Sequence, residues 1–187
     1  MRTVKVNTLL LLGIIFVSSG LAFLNYRLQT RNAELTKQVN GARMILGAEN
    51  APPRGTVLPA LSGTDIAGRP LKVSVKGSAH KVLILLFDLG CHACDENWRY
   101  WDTLIKDDDI RRSVLPISVS SVNQGYLDRH HIANRTVLID LSSDLQNTLK
   151  MHATPQTILA VDGTVQDSWF GVLSSDDVKT ISETVRQ

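Results

Sequence analysis

The chain has 187 residues, 43% hydrophobic and 20% charged, with 12 Gly, 6 Pro and 2 Cys. That composition excludes a disordered tail and a disulfide-stapled miniprotein, and fits one folded domain with appendages. A net charge of +2, from 20 basic and 18 acidic residues, gives no electrostatic reason to expect nucleic acid as a partner.

No Asp or Glu precedes Glu34, and Val6 to Tyr26 are 21 uncharged residues. At about 1.5 Å per helical residue this segment just spans a hydrocarbon core of roughly 30 Å, so residues 6–26 are expected to form a transmembrane helix in the lipid bilayer. Leu9–Val17 also has the length of a cleavable signal core, with Ser18-Ser19-Gly20 as a cleavage site. The apolar run resumes at Leu21–Leu24, which favours an uncleaved signal anchor. Arg2 and Lys5 face Arg27 and Arg31 across it, with a slight bias toward N-terminus inside. Everything after Tyr26 then lies outside the cytoplasm, where protein disulfides persist.

Leu24, Leu28, Leu35, Val39 and Leu46 recur at spacings of four and seven, the pattern of an amphipathic helical stalk. Under four heptads, with Asn25 and Asn32 on the seam, it reads as a spacer more than a coiled coil. Gly47–Gly55, with Pro52-Pro53, reads as a linker, giving an anchor over 1–26, a stalk and linker over 27–55 and a folded domain over 56–187.

Within that domain, Val57–Leu61 and Pro70–Val75 are expected to pair around a turn at Gly63–Gly68. Lys81–Phe87 is a continuous apolar run, the mark of a strand covered on both faces. Cys94, Trp98, Trp101 and Ile105 then fall on one face of a helix ending near Asp107–Asp109. Val114–Ser121 is a second buried strand, Gly125–His131 a short helix or loop, Thr136–Asp140 a strand or extended segment, and Asp144–Met151 a helix. Thr157–Val161 and Val165–Phe170 flank Asp162-Gly163, a two-residue hairpin signal. Asp176–Val185 closes the series as a helix capped by Ser174 or Ser175. Strands alternating with helices, then a hairpin and a helix, predict an α/β sandwich with a mixed sheet.

Both cysteines lie in Cys91-His92-Ala93-Cys94, directly after a buried strand and at the start of a helix. Free N–H groups and the positive end of the helix dipole favour a thiolate there, so Cys91 is the expected nucleophile. Cys94, one turn further in, is placed to resolve a mixed disulfide, and His92, if protonated, adds positive charge. Zinc needs a second ligand pair that His80, His130, His131 and His152 do not supply at metal spacing. A c-type haem needs His where the chain has Asp95. Buried inert cysteines or a structural disulfide remain the bland alternatives.

Val82–Phe87 running into Cys91-His92-Ala93-Cys94, the segment Ala153-Thr154-Pro155-Gln156-Thr157-Ile158-Leu159, and the Asp162-Gly163 hairpin leading to Gly171 together resemble the thioredoxin superfamily, more narrowly its TlpA-like membrane-anchored thiol–disulfide oxidoreductases. The resemblance implies a thioredoxin-like three-layer sandwich with a mixed central sheet in a single-pass protein of the bacterial inner membrane. It also implies a cis Thr154-Pro155 peptide packed against the cysteine motif and exposing backbone to an incoming chain. Three positions depart from the pattern: Gly90 replaces the usual aromatic residue, the inner dipeptide is His-Ala without proline, and Asn97 stands where relatives often carry Glu. Oxidant and reductant both stay open.

Other residues have plainer readings. Trp98 and Trp101 share a face with Ile105 and read as core; Asp88 reads as a solvated loop carboxylate; His130-His131 read as surface residues pointing apart; Asn134-Arg135-Thr136 is a glycosylation sequon, of little meaning in a protein of bacterial appearance. The leading expectation is a membrane-tethered oxidoreductase with catalytic Cys91 and Cys94 and a groove formed by His92, Ala93, Thr154 and Pro155. It needs no cofactor beyond the Cys91–Cys94 disulfide. Its expected partners are protein thiols or disulfides, such as folding clients or apocytochromes, and a membrane redox protein. The competing expectation is a copper chaperone using Cys91, Cys94 and His152 on the same scaffold.

Overall fold

The structure is a computed structural model that describes every residue except Met1, Ser78, Ala79 and Asn134; in the N-terminal helix its side chains are described over 14–39, at 47 and at 49–50. The chain divides into two compact units, Met1–Ala42 and Arg43–Gln187. Helix α1 (Arg2–Asn50) makes up the first unit and begins the second. It runs past Gly47, where the sequence reading ends it, and stops before Pro52-Pro53, which disfavour helical backbone at Ala51 and supply no N–H. Leu24, Leu28, Leu35 and Val39 of the expected stalk are all exposed.

Among the described residues no helix is long and apolar enough to cross a membrane. Residues 6–13 of the expected span lie outside the described side chains, and the described remainder is diluted by Ser18, Ser19, Gly20 and Asn25 before it reaches Arg27. The sequon residue Asn134 also lies outside the described residues.

In the second unit, β1 (Leu61–Thr64) and β2 (Pro70–Val73) form an antiparallel pair. The first expected strand is therefore displaced. Residues 55–58 instead lie along the edge of the main sheet, with Gly55 N–H on Val165 O and Leu58 N–H on Gly163 O. Pro59, without an N–H, separates that segment from β1. Gly63, expected in the turn, lies in β1, where any Cβ would collide with Ile139 O. The turn is built instead by Asp65, whose side chain accepts the N–H groups of Ala67 and Arg69 at 2.9 Å each.

The main sheet holds β3 (Lys81–Phe87), β4 (Val114–Ser118), β5 (Gln156–Val161) and β6 (Thr164–Phe170) in the order β4-β3-β5-β6. β3 runs parallel to β4 and antiparallel to β5, and β5 antiparallel to β6. Central β3 is buried from Val82 to Phe87, as an uninterrupted apolar run requires. Its alternate residues feed two cores. Leu83, Leu85 and Phe87 face α2 (His92–Lys106), α4 (Gln124–Arg129) and α6 (Ser175–Arg186), while Val82, Ile84 and Leu86 face β1 and α5 (Ser143–Thr148). These are the three layers of the expected sandwich.

Thr136–Asp140, expected as a strand or extended segment, makes two bridges among the described residues: Leu138 with Ile117 of β4 and Ile139 with Thr64 of β1. It thereby joins the small hairpin to the sheet. A one-turn helix, α3 (Asp108–Arg111), follows α2, started by Asp107 accepting the N–H groups of Asp109 and Ile110. At the hairpin between β5 and β6, Asp162 and Gly163 both take positive φ, 49° and 73°.

Candidate active site

β3 ends at Phe87, the chain turns through Asp88-Leu89-Gly90, and α2 begins. Cys91 is the N-cap of α2: its backbone is extended, and its Sγ accepts the Cys94 N–H at 3.1 Å. A sulfur here does what a Ser or Asp cap oxygen does, and a thiolate does it better because the first-turn N–H groups and the helix dipole favour negative charge. Cys91 is half-buried, whereas Cys94 is fully buried in the core with Phe87, Trp98 and Trp101, and the two are joined as a disulfide. An incoming sulfur reaches Cys91 first. His92 is exposed, with Nδ1 3.6 Å from Glu96 Oε1, so its charge when protonated is shared with a carboxylate; Ala93 is half-buried.

The sheet register places the second motif at the same end of the molecule. Leu86 pairs with Gln156, so Pro155 precedes β5 where Phe87 leads out of β3 toward the cysteines. The Thr154–Pro155 peptide is cis, Pro155 is buried and Thr154 half-buried. Three bonds brace this turn: Gly171 N–H donates to Pro155 O at 2.9 Å, and Gln156 Nε2 donates to Lys150 O and Ala153 O at 2.8 and 2.7 Å.

Asp88 is not free in solvent as the sequence reading has it. Its Oδ1 accepts Ser120 Oγ at 2.6 Å, tying the cysteine loop to the chain after β4. Trp98 and Trp101 are core residues as expected, with Nε1 donating to Tyr126 Oη at 2.8 Å and to Thr157 Oγ1 at 2.9 Å.

Three residues around the motif have places that the sequence reading does not give: Tyr126 is absent from it, and Asn97 and His130 appear in it without their partners. Asn97 is fully buried, and its Oδ1 accepts Leu173 N–H at 2.7 Å, while its Nδ2 has no partner among the described residues. Tyr126 and His130 project from one face of α4 and its end, His130 stacking on Trp98 at 4.3 Å between centroids. His130 is thus half-buried and not a surface residue; His131 alone is exposed. Burial pushes the His130 imidazole below its ordinary 6.5, against the pull of Asp102 and Asp95, and pushes the Tyr126 phenol up. The i, i+4 spacing of Tyr126 and His130 is the signal that would have found the pair.

Among the described residues no three His, Cys, Asp or Glu side chains assemble as a metal group, so the copper set of Cys91, Cys94 and His152 is not brought together. His152 is engaged elsewhere, its Nε2 3.1 Å from Asn50 Oδ1.

No family model and no curated protein matches this sequence. Solved structures do match. The thioredoxin domain of a thiol–disulfide oxidoreductase from Bacteroides vulgatus is 19% identical, covering 71% of this chain and 98% of its own, with a TM-score of 0.53. The C-terminal domain of a thiol–disulfide oxidoreductase from Bacteroides thetaiotaomicron is 16% identical over 71% of this chain and 95% of its own, TM-score 0.56. A thiol:disulfide interchange protein from Chlorobium tepidum is 15% identical over 73% and 97%, TM-score 0.54. Identity at this level speaks to architecture, and the strand order, the cysteine-capped helix and the cis Thr154–Pro155 turn agree with it: the chain carries a thioredoxin-like fold.

Proposed function

We propose that this protein is a protein thiol–disulfide oxidoreductase. The observation that carries the reading is the asymmetry of the cysteine pair: Cys91, half-exposed at a helix N-cap, is bonded to Cys94, fully buried one turn inside. A partner thiolate attacks Cys91 Sγ, the Cys91–Cys94 bond breaks, and Cys94 leaves as a thiolate, giving a mixed disulfide at Cys91. A second partner thiol displaces Cys91, so that the partner gains a disulfide and the protein holds two thiols. Run in reverse, Cys91 thiolate attacks a partner disulfide and Cys94 displaces the partner thiol. Both directions conserve two electrons, and the Cys94 N–H on Cys91 Sγ stabilises the thiolate in either. Thr154 and Pro155 flank the pair and offer backbone to the partner's chain, with His92 and Ala93 at its rim.

The uncharged stretch over 6–26 supports a further element of the proposal, tethering to a bacterial inner membrane with the folded domain on the periplasmic or outer side, where clients such as folding proteins or apocytochromes and a membrane redox partner are met. Resistance of the full chain to carbonate extraction tests the tether.

The chemistry is tested by turnover of a peptide disulfide or dithiol by wild type, Cys91→Ser and Cys94→Ser. Both variants are expected to lose turnover, and Cys94→Ser to accumulate a mixed disulfide at Cys91. Turnover by Cys91→Ser equal to wild type would overturn the reading.

A further inference from the structure

At the end of the sheet opposite the cysteines, the last turn of α2, the end of α3 and the loop after α4 enclose a cleft of about 620 Å³ lined by Ile105, Lys106, Arg111, Arg112, His131 and Arg135. Five of the six lining residues are basic, and none is a carboxylate. Of the four permanent cations, only Arg111 has an ion pair among the described residues, with Asp108 Oδ1 at 3.3 Å, and that aspartate is 82% exposed. The nearby Asp107 is taken by Arg186.

Arg135 is half-buried, and its Nη1 donates to Arg111 O at 2.6 Å, which fixes the guanidinium while leaving other N–H donors unassigned among the described residues. Helix C-termini offset some of this charge, but the dipole of α2 supplies only about half a negative charge, and α3 and α4 are too short to add much. The surplus is between two and three cations gathered around one opening. Burial together with the Arg111 charge pushes the Arg135 pKa down, as expected for a cation lacking a counter-charge.

We propose that this cleft is a binding site for a phosphate-type anion, held by Lys106, Arg112 and the Arg135 fork. Guanidinium groups match the tetrahedral oxygens of phosphate in paired hydrogen bonds, and the ammonium of Lys106 adds a mobile point charge. The anion is either a free phosphate compound or the headgroup of an anionic lipid.

The test is isothermal titration of the full chain, held in a neutral detergent, with inorganic phosphate, inorganic pyrophosphate and glycerophosphoglycerol, the deacylated headgroup of an anionic lipid. Wild type is expected to bind at least one probe saturably. The double variant Lys106→Gln/Arg112→Gln is expected to weaken that binding at least tenfold; both side chains are exposed, so the fold is retained. Preference for pyrophosphate or phosphate assigns a soluble ligand, and preference for the headgroup assigns the membrane. Absence of saturable binding overturns the proposal. So does binding unchanged in the double variant, or an equal loss in the charge-matched control Lys72→Gln/Lys179→Gln, which would mean general screening. Binding is the readout, so the result is independent of the redox reading.

Discussion

Asn97 accepts the backbone N–H of Leu173 at 2.7 Å, and two residues upstream Gly171 donates to the carbonyl of Pro155. The helix that carries the cysteines is thereby tied, through one buried amide, to the segment that braces the proline turn. Asn97→Ala leaves the Leu173 N–H without its acceptor in a dry site, and is expected to lower unfolding stability by about 1–3 kcal/mol. Urea denaturation measures it, and faster hydrogen exchange confined to residues 171–173 would locate the loss. An unchanged midpoint would contradict the role.

Reduced Cys91 is expected to titrate below the ~8.5 of an ordinary thiol, because the thiolate gains the Cys94 N–H and the start of a 15-residue helix. Thiolate absorbance against pH, in wild type and in Cys94→Ser, reads this directly. A Cys91 that ionises only above the ordinary value would remove the electrostatic basis of the proposed chemistry.

His130 gives a pH dependence of known sign. Its folded-state pKa lies below the ordinary 6.5, so the unfolded chain binds more protons in the window between the two values. The stability associated with neutral His130 is fully present above about 6.5 and is lost as pH falls through the folded value. His130→Gln is expected to flatten the acid limb of a Tm-versus-pH curve. An NMR titration placing His130 above 6.5 would refute the assignment.

Trp101 is fully buried and donates to Thr157 across from α2 to β5. Trp101→Ala is expected to cost about 3–5 kcal/mol, through lost burial, a cavity and an orphaned hydroxyl. Trp101→Phe keeps most of the volume and is expected to cost less. Chemical denaturation of both, with the slope checked for two-state behaviour, decides the order.

Ser174 and Asp177 form a capping box, with Ser174 Oγ accepting Asp177 N–H at 3.2 Å and Asp177 Oδ2 accepting Ser174 N–H at 2.7 Å. Ser174→Ala is expected to lose about 0.5–2 kcal/mol, visible as a lower Tm without loss of thiol exchange. A drop in exchange rate larger than the stability change would show that α6 acts on the site itself.

Several of these features can be read in the sequence because one local rule determines them. The apolar run Val82–Phe87 has no amphipathic alternative, the Cys94–Trp98–Trp101–Ile105 face follows helical spacing, and Asp162-Gly163 supplies the two positive-φ residues its turn demands. The misplacements arise where a distant partner decides. Gly63 looks like a turn residue, but it is in a strand because Ile139 O approaches it from another segment. Thr136–Asp140 reads as a strand or extended segment, and what its composition does not show is that Leu138 and Ile139 bridge to two different sheets, through Ile117 and Thr64. Asn97 is a polar residue on an apolar face, and only the tertiary fold reveals that Leu173 N–H is what it serves. His130 pairs with His131 only in the sequence; in the fold its ring partners are Trp98 and Tyr126.

The pairing of Lys81 with Val161 and Leu86 with Gln156 has a consequence for biosynthesis. As the chain leaves the ribosome, the central strand and both sulfurs emerge well before the strand that must lie beside them. Until that later segment arrives, β3 lacks its antiparallel neighbour and the core that encloses Cys94 is incomplete, short of Leu159 and of Leu173, Ile181 and Val185 behind it. The full distinction between the two sulfurs, one offered and one withheld, is therefore complete only when the last third of the chain has folded back onto the first strand of the sheet.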